Sequence, residues 1–422
     1  MQVQEITILC DVVDNFGDIG FVYRLSRNIF QLNPKIKLRL VVNNLASFSK
    51  MAPDINPNLA EQIFNSWKIF DWNKTELCVK EFSENPPKII LQCFQCKRPF
   101  WLDDILFSEN FNQKVQIVNL EYLSAEDWVD DFHLLKSGTR SVFVKKVNFM
   151  PGFTAKTGGL ILDKPFINFL YSNRTCKNQN ALDFIKKDLS AQEVELFTNE
   201  NIFCVSVFLY QKDFSPQIKA LKLYQNFVKQ KNPEFKVHIF LANSVHLKNF
   251  ENDCKQNEIE FSHLNYLEQQ TWDAFLTLCD FNFVRGEDSF SRAVLSGIPF
   301  FWQSYVQDDE FQLVKVNAFL QKLKPFFSPE KFADYKKAVL NFNRSENAKV
   351  SEEILYKSRE FEKVFDYLSC NSANQNEQSQ ILFSLLKDYD LLKKFFEDFA
   401  KSIFELGNLT EHLLAYLSQI ST

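Results

Sequence analysis

"EITILCDVVDNFGDIGFVYRLSRNIFQL" (residues 5–32) begins as an apolar run, crosses a loop rich in aspartate and glycine, and ends in a helical pattern. EITILCDVV has the continuous apolar character of a strand buried on both faces. Beyond the loop, Val22, Leu25 and Ile29 recur at helical spacing, with Arg24 and Arg27 on other faces. The alternation continues: KLRLVVNN, KIILQCF and VQIVNLEYL read as further strands, which predicts a parallel sheet covered by helices on both sides.

The polar, non-periodic stretch YSNRTCKNQNALD (171–183) reads as a linker, after which the pattern restarts. IFCVSVFLY, FKVHIFLAN and FNFVRG read as strands, and SPQIKALKLYQNFVKQ as a helix between them. Two successive doubly wound α/β halves are the simplest account. Past about residue 350 the chain turns helical and charged, interrupted by the low-hydrophobicity loop SCNSANQNEQSQ (369–380). Its last stretch, from Leu385 onward, predicts a pair of helices docked on the body. The expected domains are 1–172, completed by helices near 385–422, and 184–380.

Composition bounds what such a chain does. With 422 residues it exceeds one comfortable core, so two domains are expected. A net charge of -5 argues against general nucleic-acid binding and leaves a basic partner open. No window is apolar enough for a membrane span, and no basic segment followed by an apolar stretch opens the chain; the expectation is a cytoplasmic protein. Nine scattered cysteines without a secretion signal are expected reduced and buried.

Two loops follow strands and lead into helices, where ligands bind in open α/β sheets. In DVVDNFGDIG (11–20), Gly17 and Gly20 lack the full G-x-G-x-x-G spacing, and the carboxylates would repel phosphate. A turn around Gly17 can aim Asp14 and Asp18 into one cleft, which suits general-base work or holding a cation. By spacing alone the preferred reading is that either aspartate caps the following helix. The second loop, RGEDSFSRAVLSG (285–297), has the opposite character. A helix starting near Asp288 or Ser289 offers free N–H groups to an anion, with Arg285 and Arg292 nearby and Phe290, Val294 and Gly297 as its packing face. Glu287 and Asp288 fit first-turn capping, or Glu287 contacts a sugar hydroxyl or a cation. Rings in VFLY (207–210), YLEQQTW (266–272) and FFWQSYVQDD (300–309) can sandwich a nucleobase, with Gln269 on its edge, or simply pack a core. MPGFTAKTGGLI (150–161) is a turn or a loop shaping the cleft. The C-x-x-C of CFQC (93–96) lacks the second ligand pair that zinc requires, and the five histidines show no ligand spacing.

Together, VVDNFGDIGFVYRLSR, PGFTAKTGGL and FNFVRGEDSFSRAVLSGIPFFWQSYVQ closely resemble the bacterial protein-arginine rhamnosyltransferases (the EarP family) that modify elongation factor P. The resemblance runs from the first loop past residue 309, and more weakly into the C-terminal helices. It implies an α/β, GT-B glycosyltransferase fold: two Rossmann-like domains facing a central cleft, with C-terminal helices. It implies inverting, metal-independent transfer of L-rhamnose from dTDP-β-L-rhamnose to an arginine of elongation factor P, supporting translation of polyproline stretches. It implies no cofactor beyond that donor substrate, and neither a nucleic-acid nor a membrane partner. Catalytic roles fall by the same resemblance on Asp14, Asp18 and Glu287. Donor binding falls on Asn15, Phe16, Gly17, Phe208, Tyr210, Tyr266, Gln269, Trp272, Arg285, Asp288, Ser289 and Tyr305. Extra length around 345–380 departs from the family pattern. The alternatives are a GT-B enzyme with another nucleotide-sugar donor or a small-molecule acceptor, and a non-catalytic binder of a basic protein loop.

Overall fold

The computed structural model describes residues 3–13, 17–170, 178–242, 245–306, 310–344 and 374–420. The chain divides into two compact units, Met1–Asp163 with Ile403–Thr422, and Lys164–Ser402.

In the first unit the described strands are β1 (Glu5–Cys10), β2 (Lys37–Val42), β3 (Glu61–Phe64), β4 (Trp67–Asp71), β5 (Ile89–Cys93), β6 (Val115–Leu120), β7 (Lys136–Ser137) and β8 (Val144–Phe149). They form one sheet in the order β3-β4-β2-β1-β5-β6-β8-β7. The strands from β4 to β8 are mutually parallel, and antiparallel β3 and β7 close the two edges. Alternate residues of β1 feed opposite faces. Ile6, Ile8 and Cys10 join one apolar cluster, and Leu9 joins the other with Phe70, Phe82 and Ile90. Both faces being covered explains why this strand is apolar throughout.

The first helix runs Gly17–Leu32, and Ile19, Val22, Leu25 and Ile29 form its buried stripe. Arg24, expected on another face, is itself buried at 1% exposure and pairs with Asp163 at 3.4 Å. A buried charge of this kind needs its partner, so the pair ties the helix to the end of the unit.

The C-terminal helix Leu409–Ile420 completes the same unit, with Leu409, Leu413 and Leu417 in the β1 cluster. Asn408 fastens it. Its Nδ2 donates to the Leu162 carbonyl at 3.1 Å, and its Oδ1 accepts from Leu162 N–H at 3.2 Å. The Leu409 N–H donates to the Leu160 carbonyl at 2.9 Å, and a ring nitrogen of His412 bonds the Gly158 carbonyl at 3.0 Å. The PGFTAKTGGL segment is therefore the dock for the returning chain.

The second unit carries a parallel sheet of β9 (Ile202–Val207), β10 (Lys236–Ala242), β11 (Glu260–Leu264), β12 (Phe281–Arg285) and β13 (Phe300–Gln303), in the order β11-β10-β9-β12-β13. Four boundaries differ from the sequence reading. The unit begins at Lys164, and the second half of the expected linker is a helix, Gln179–Ile185, capped by Asn178. Asn374 likewise caps a helix from Gln375, so residues 375–380 of the expected loop are helical. Finally, the return to the first unit comes at Ile403 rather than near 385. Phe396 packs against Phe300 at 5.3 Å and Phe399 against Phe319 at 5.9 Å, which holds most of the helix Tyr389–Phe404 on the second unit. Among the described residues no helix is long and apolar enough to cross a membrane.

Candidate functional site

Each sheet has a point where its strand order reverses. In the first unit, β1 leads to β2 on one side while β5 lies on the other; in the second, β9 leads to β10 on one side and β12 lies on the other. Loops beyond the carboxyl ends of strands flanking such a point diverge and leave room for ligands. Both loops singled out in the sequence stand there: 11–20 follows β1, and 285–297 follows β12.

Asp18 lies in the first turn of the helix Gly17–Leu32 and is 2% exposed. Its Oδ2 accepts the Val13 N–H at 2.8 Å, and its Oδ1 lies 3.5 Å from the Tyr122 hydroxyl. Gly17, read from the sequence as the centre of a turn, opens this helix, and Gly20 lies in its first turn. Asp14, Asn15 and Phe16 lie outside the described residues. Tyr122 stacks on Phe94 at 4.5 Å, and Phe94 meets Phe21 edge-on at 5.2 Å. Asp18 thus lies beside Tyr122, whose ring is stacked on Phe94 from the loop after β5. Cys93 and Cys96 are buried free thiols that belong to no metal-holding cluster among the described residues. Burial pushes the Cys93 thiol well above its ordinary value, with charge at Cys96 and Asp18 adding to it.

In the second unit most of the expected donor-site residues form one contact chain. The Arg285 guanidinium lies over the rings of Phe208 and Tyr210, at 4.6 and 4.5 Å. Tyr210 meets Tyr305 at 5.6 Å, and Phe208 meets Trp272 at 5.4 Å, both edge-to-face. Trp272 Nε1–H donates to Ser289 Oγ at 3.1 Å, and Gln269 Nε2 donates to Asp288 Oδ2 at 2.8 Å. Gln269, expected on the edge of a base, therefore also braces the first turn of the neighbouring helix. Glu287, half-buried, opens that helix; Tyr266 stands on the loop after β11 and is 43% exposed. Arg292, expected near an anion, is 1% exposed and its guanidinium lies over Phe166 at 4.6 Å, a packing position.

The helix Glu287–Ser296 starts one residue earlier than expected, capped by Gly286 at φ 66° and ψ 170°. That backbone region is essentially reserved for glycine. It turns the chain sharply from β12 into the helix, leaving first-turn N–H groups beyond the sheet, where an anion gains from them and from the helix dipole. An added Cβ at Gly286 meets nothing within 4 Å, so substitution there costs backbone strain alone. Gly286→Ala is expected to lower unfolding stability by about 1–3 kcal/mol. Urea unfolding that matches the unsubstituted protein refutes the strain.

The sequence reading missed Tyr122 and Glu121, which follow β6, two strands from β1 in space and about a hundred residues away in the chain. Their signal was the run VQIVNLEYL itself: a strand followed at once by a carboxylate and a phenol at the ligand-binding end.

The pattern of the family described as Elongation-Factor P (EF-P) rhamnosyltransferase EarP matches residues 6–418. A protein-arginine rhamnosyltransferase of Shewanella oneidensis is 33% identical over 359 residues, covering 81% of this chain and 87% of the relative. Another, from Pseudomonas putida, is 32% identical over 322 residues, covering 74% and 80%. Among solved structures, one described as the structural basis for EarP-mediated arginine glycosylation of translation elongation factor EF-P covers 98% of this chain and 99% of its own. Its TM-score is 0.51 at 18% identity, a likeness of fold. The two parallel sheets are those of a GT-B glycosyltransferase fold, and the chain belongs to the EarP family of elongation factor P rhamnosyltransferases.

Proposed function

We propose that this protein transfers L-rhamnose from dTDP-β-L-rhamnose to one arginine side chain of elongation factor P, with inversion and without a metal. The observation that carries the reading is the opposite chemistry of two loops, each beside the point where its own sheet's strand order reverses. The 11–18 loop after β1 is acidic, and the 285–289 turn after β12 joins Arg285 to a helix N-terminus. Family membership and the protein-arginine rhamnosyltransferase relatives support the same assignment.

In this reading the acidic loop receives the acceptor. A guanidinium is protonated at neutral pH and a weak nucleophile. Asp14 takes the proton from the attacking nitrogen, while Asp18, fixed by the Val13 N–H, orients and stabilises the cation. The nitrogen forms its bond to the anomeric carbon as the bond from that carbon to the diphosphate oxygen breaks. The electron pair leaves with dTDP, whose negative charge is met by Arg285, Ser289 and the helix N-terminus. One displacement inverts the centre, giving α-rhamnosyl-arginine. Glu287, at the start of the same helix, contacts the sugar, and the rings of Phe208, Tyr210, Tyr266, Trp272 and Tyr305 with Gln269 hold the nucleotide. Asn15, Phe16 and Gly17 complete the donor contacts from the first loop. No cofactor enters; the place of action is the cytoplasm.

The test is the intact mass of elongation factor P after incubation with this protein and dTDP-rhamnose. A single added deoxyhexose is expected, and its absence refutes the proposal. Thermal-shift comparison of dTDP-rhamnose with UDP-sugars checks the donor: equal or greater stabilisation by a UDP-sugar refutes that part.

A further inference from the structure

The helix Glu287–Ser296 holds three serines, and their hydroxyls are used in two ways. Ser291 Oγ donates to the Asp288 carbonyl and Ser296 Oγ to the Ala293 carbonyl, each at 2.8 Å. Such bonding back to the preceding turn is the ordinary course for a serine within a helix. Ser289 differs. Its Oγ accepts the Trp272 indole N–H at 3.1 Å, and the hydroxyl makes no other hydrogen bond among the described residues. An indole nitrogen donates and has nothing to accept with, so the direction of this bond is fixed. The hydroxyl hydrogen of Ser289 is therefore left over on a side chain only 8% exposed. Few buried donors in native proteins go without a ligand or water to receive them.

A second donor lies on the same residue. The first bond across this turn runs from the Phe290 N–H to the Gly286 carbonyl at 3.3 Å. Ser289, just before it, has its N–H in the turn that finds no acceptor inside the helix. A hydroxyl and an N–H at the positive end of a helix dipole suit an anion.

Trp272 is itself held in place. It stands in the helix Gln269–Leu278, stacked on Phe275 at 5.4 Å and edge-to-face with Phe208 at 5.4 Å. Gln269 precedes it by three residues, which puts both on one helix face, and donates to Asp288 Oδ2 at 2.8 Å. Two successive residues of the 287–289 turn are thus clamped by one helix, all within the second unit.

We propose that Trp272 is a positioning residue for the donor diphosphate, acting through Ser289. Its N–H fixes the rotamer of the serine, so the hydroxyl hydrogen is kept for a phosphate oxygen instead of turning back onto the helix as that of Ser291 does. The inference rests on the functional reading above, which puts the diphosphate at this turn, and it gives Trp272 a task apart from facing the nucleotide with its ring.

The experiment is a double-mutant cycle read by titration calorimetry with dTDP. Trp272→Phe keeps a ring against Phe208 and Phe275 and removes the N–H alone. It is expected to weaken dTDP about fivefold or more in the wild-type background and by less than about twofold in Ser289→Ala. A ring that only stacks on the base, or only supports the fold, weakens dTDP equally in both backgrounds, and that result overturns the assignment. Ser289→Thr returns a hydroxyl to the same position, and there Trp272→Phe should again cost about fivefold; a loss below about twofold overturns the proposal. Should Trp272→Phe fail to fold, Trp272→Leu, which also lacks the N–H, runs the same cycle with the same expectation. Binding of dTDP by the wild type with an additive cycle overturns the role of Trp272 alone; no binding of dTDP by the wild type overturns the functional reading as well.

Discussion

Replacing either aspartate of the first loop by asparagine is expected to reduce kcat by about 10²–10⁴-fold while leaving dTDP affinity unchanged. For Asp18 the substitution is close to isosteric. An asparagine oxygen can still accept the Val13 N–H that Asp18 takes at 2.8 Å, so the fold of the helix start is retained. What disappears is the negative charge, which at a buried helix N-terminus contributes up to about 2 kcal/mol to stability. A large fall in turnover beside a smaller change in unfolding therefore separates the chemical role from capping, the two readings that spacing alone left open. Steady-state kinetics against elongation factor P, with urea unfolding of the same samples, makes the comparison. Turnover within about threefold of wild type removes the aspartate concerned from the mechanism. Asp14→Asn should show the steeper loss, since a base that cannot accept a proton is worse than an orienting group that has lost its charge.

Arg285→Gln carries the second large effect, this time on the donor. Charge-assisted contacts to phosphate are worth about 1.5–3 kcal/mol, so dTDP affinity should fall about 10–100-fold. Arg285 is held between Phe208 and Tyr210, and this stacking presents its fork at the end of β12 without further ordering. Arg285→Lys keeps the charge and loses the planar stack, so it should recover only part of the loss. Titration calorimetry with dTDP decides; full affinity in the glutamine variant means the diphosphate does not meet Arg285.

Much of the fold was legible in the chain because parallel strands buried on both faces are apolar throughout. EITILC, KLRLVV and FNFVR all became strands with boundaries close to those expected. The turn after β12 was legible for a related reason: Arg285 to Ser289 lie together in sequence, and their helix needs only its own first turn. Less legible were features that depend on distant partners. The environment of Asp18 is built by Phe94 and Tyr122, which β5 and β6 bring to the end of β1. Arg24 looked like a surface charge because Asp163, its partner, lies 139 residues away. The helix starts at Gln179 and Gln375 were hidden by polar composition, although each follows an asparagine whose side chain caps it. Gly286 was visible as a letter, but its left-handed backbone was not.

Asn408 and the leucines behind it bear on how this chain matures. A helix drawn from residues 409–420 fills a core whose strands begin at residue 5, and the whole second unit lies between these two pieces in the chain. During synthesis from the N-terminus, the intervening unit emerges complete and can fold by itself. The first sheet meanwhile waits, one apolar face incompletely covered, until Leu409, Leu413 and Leu417 have left the ribosome. The portion made first is thus the portion finished last, and a nascent chain stalled before residue 403 presents that uncovered face to chaperones.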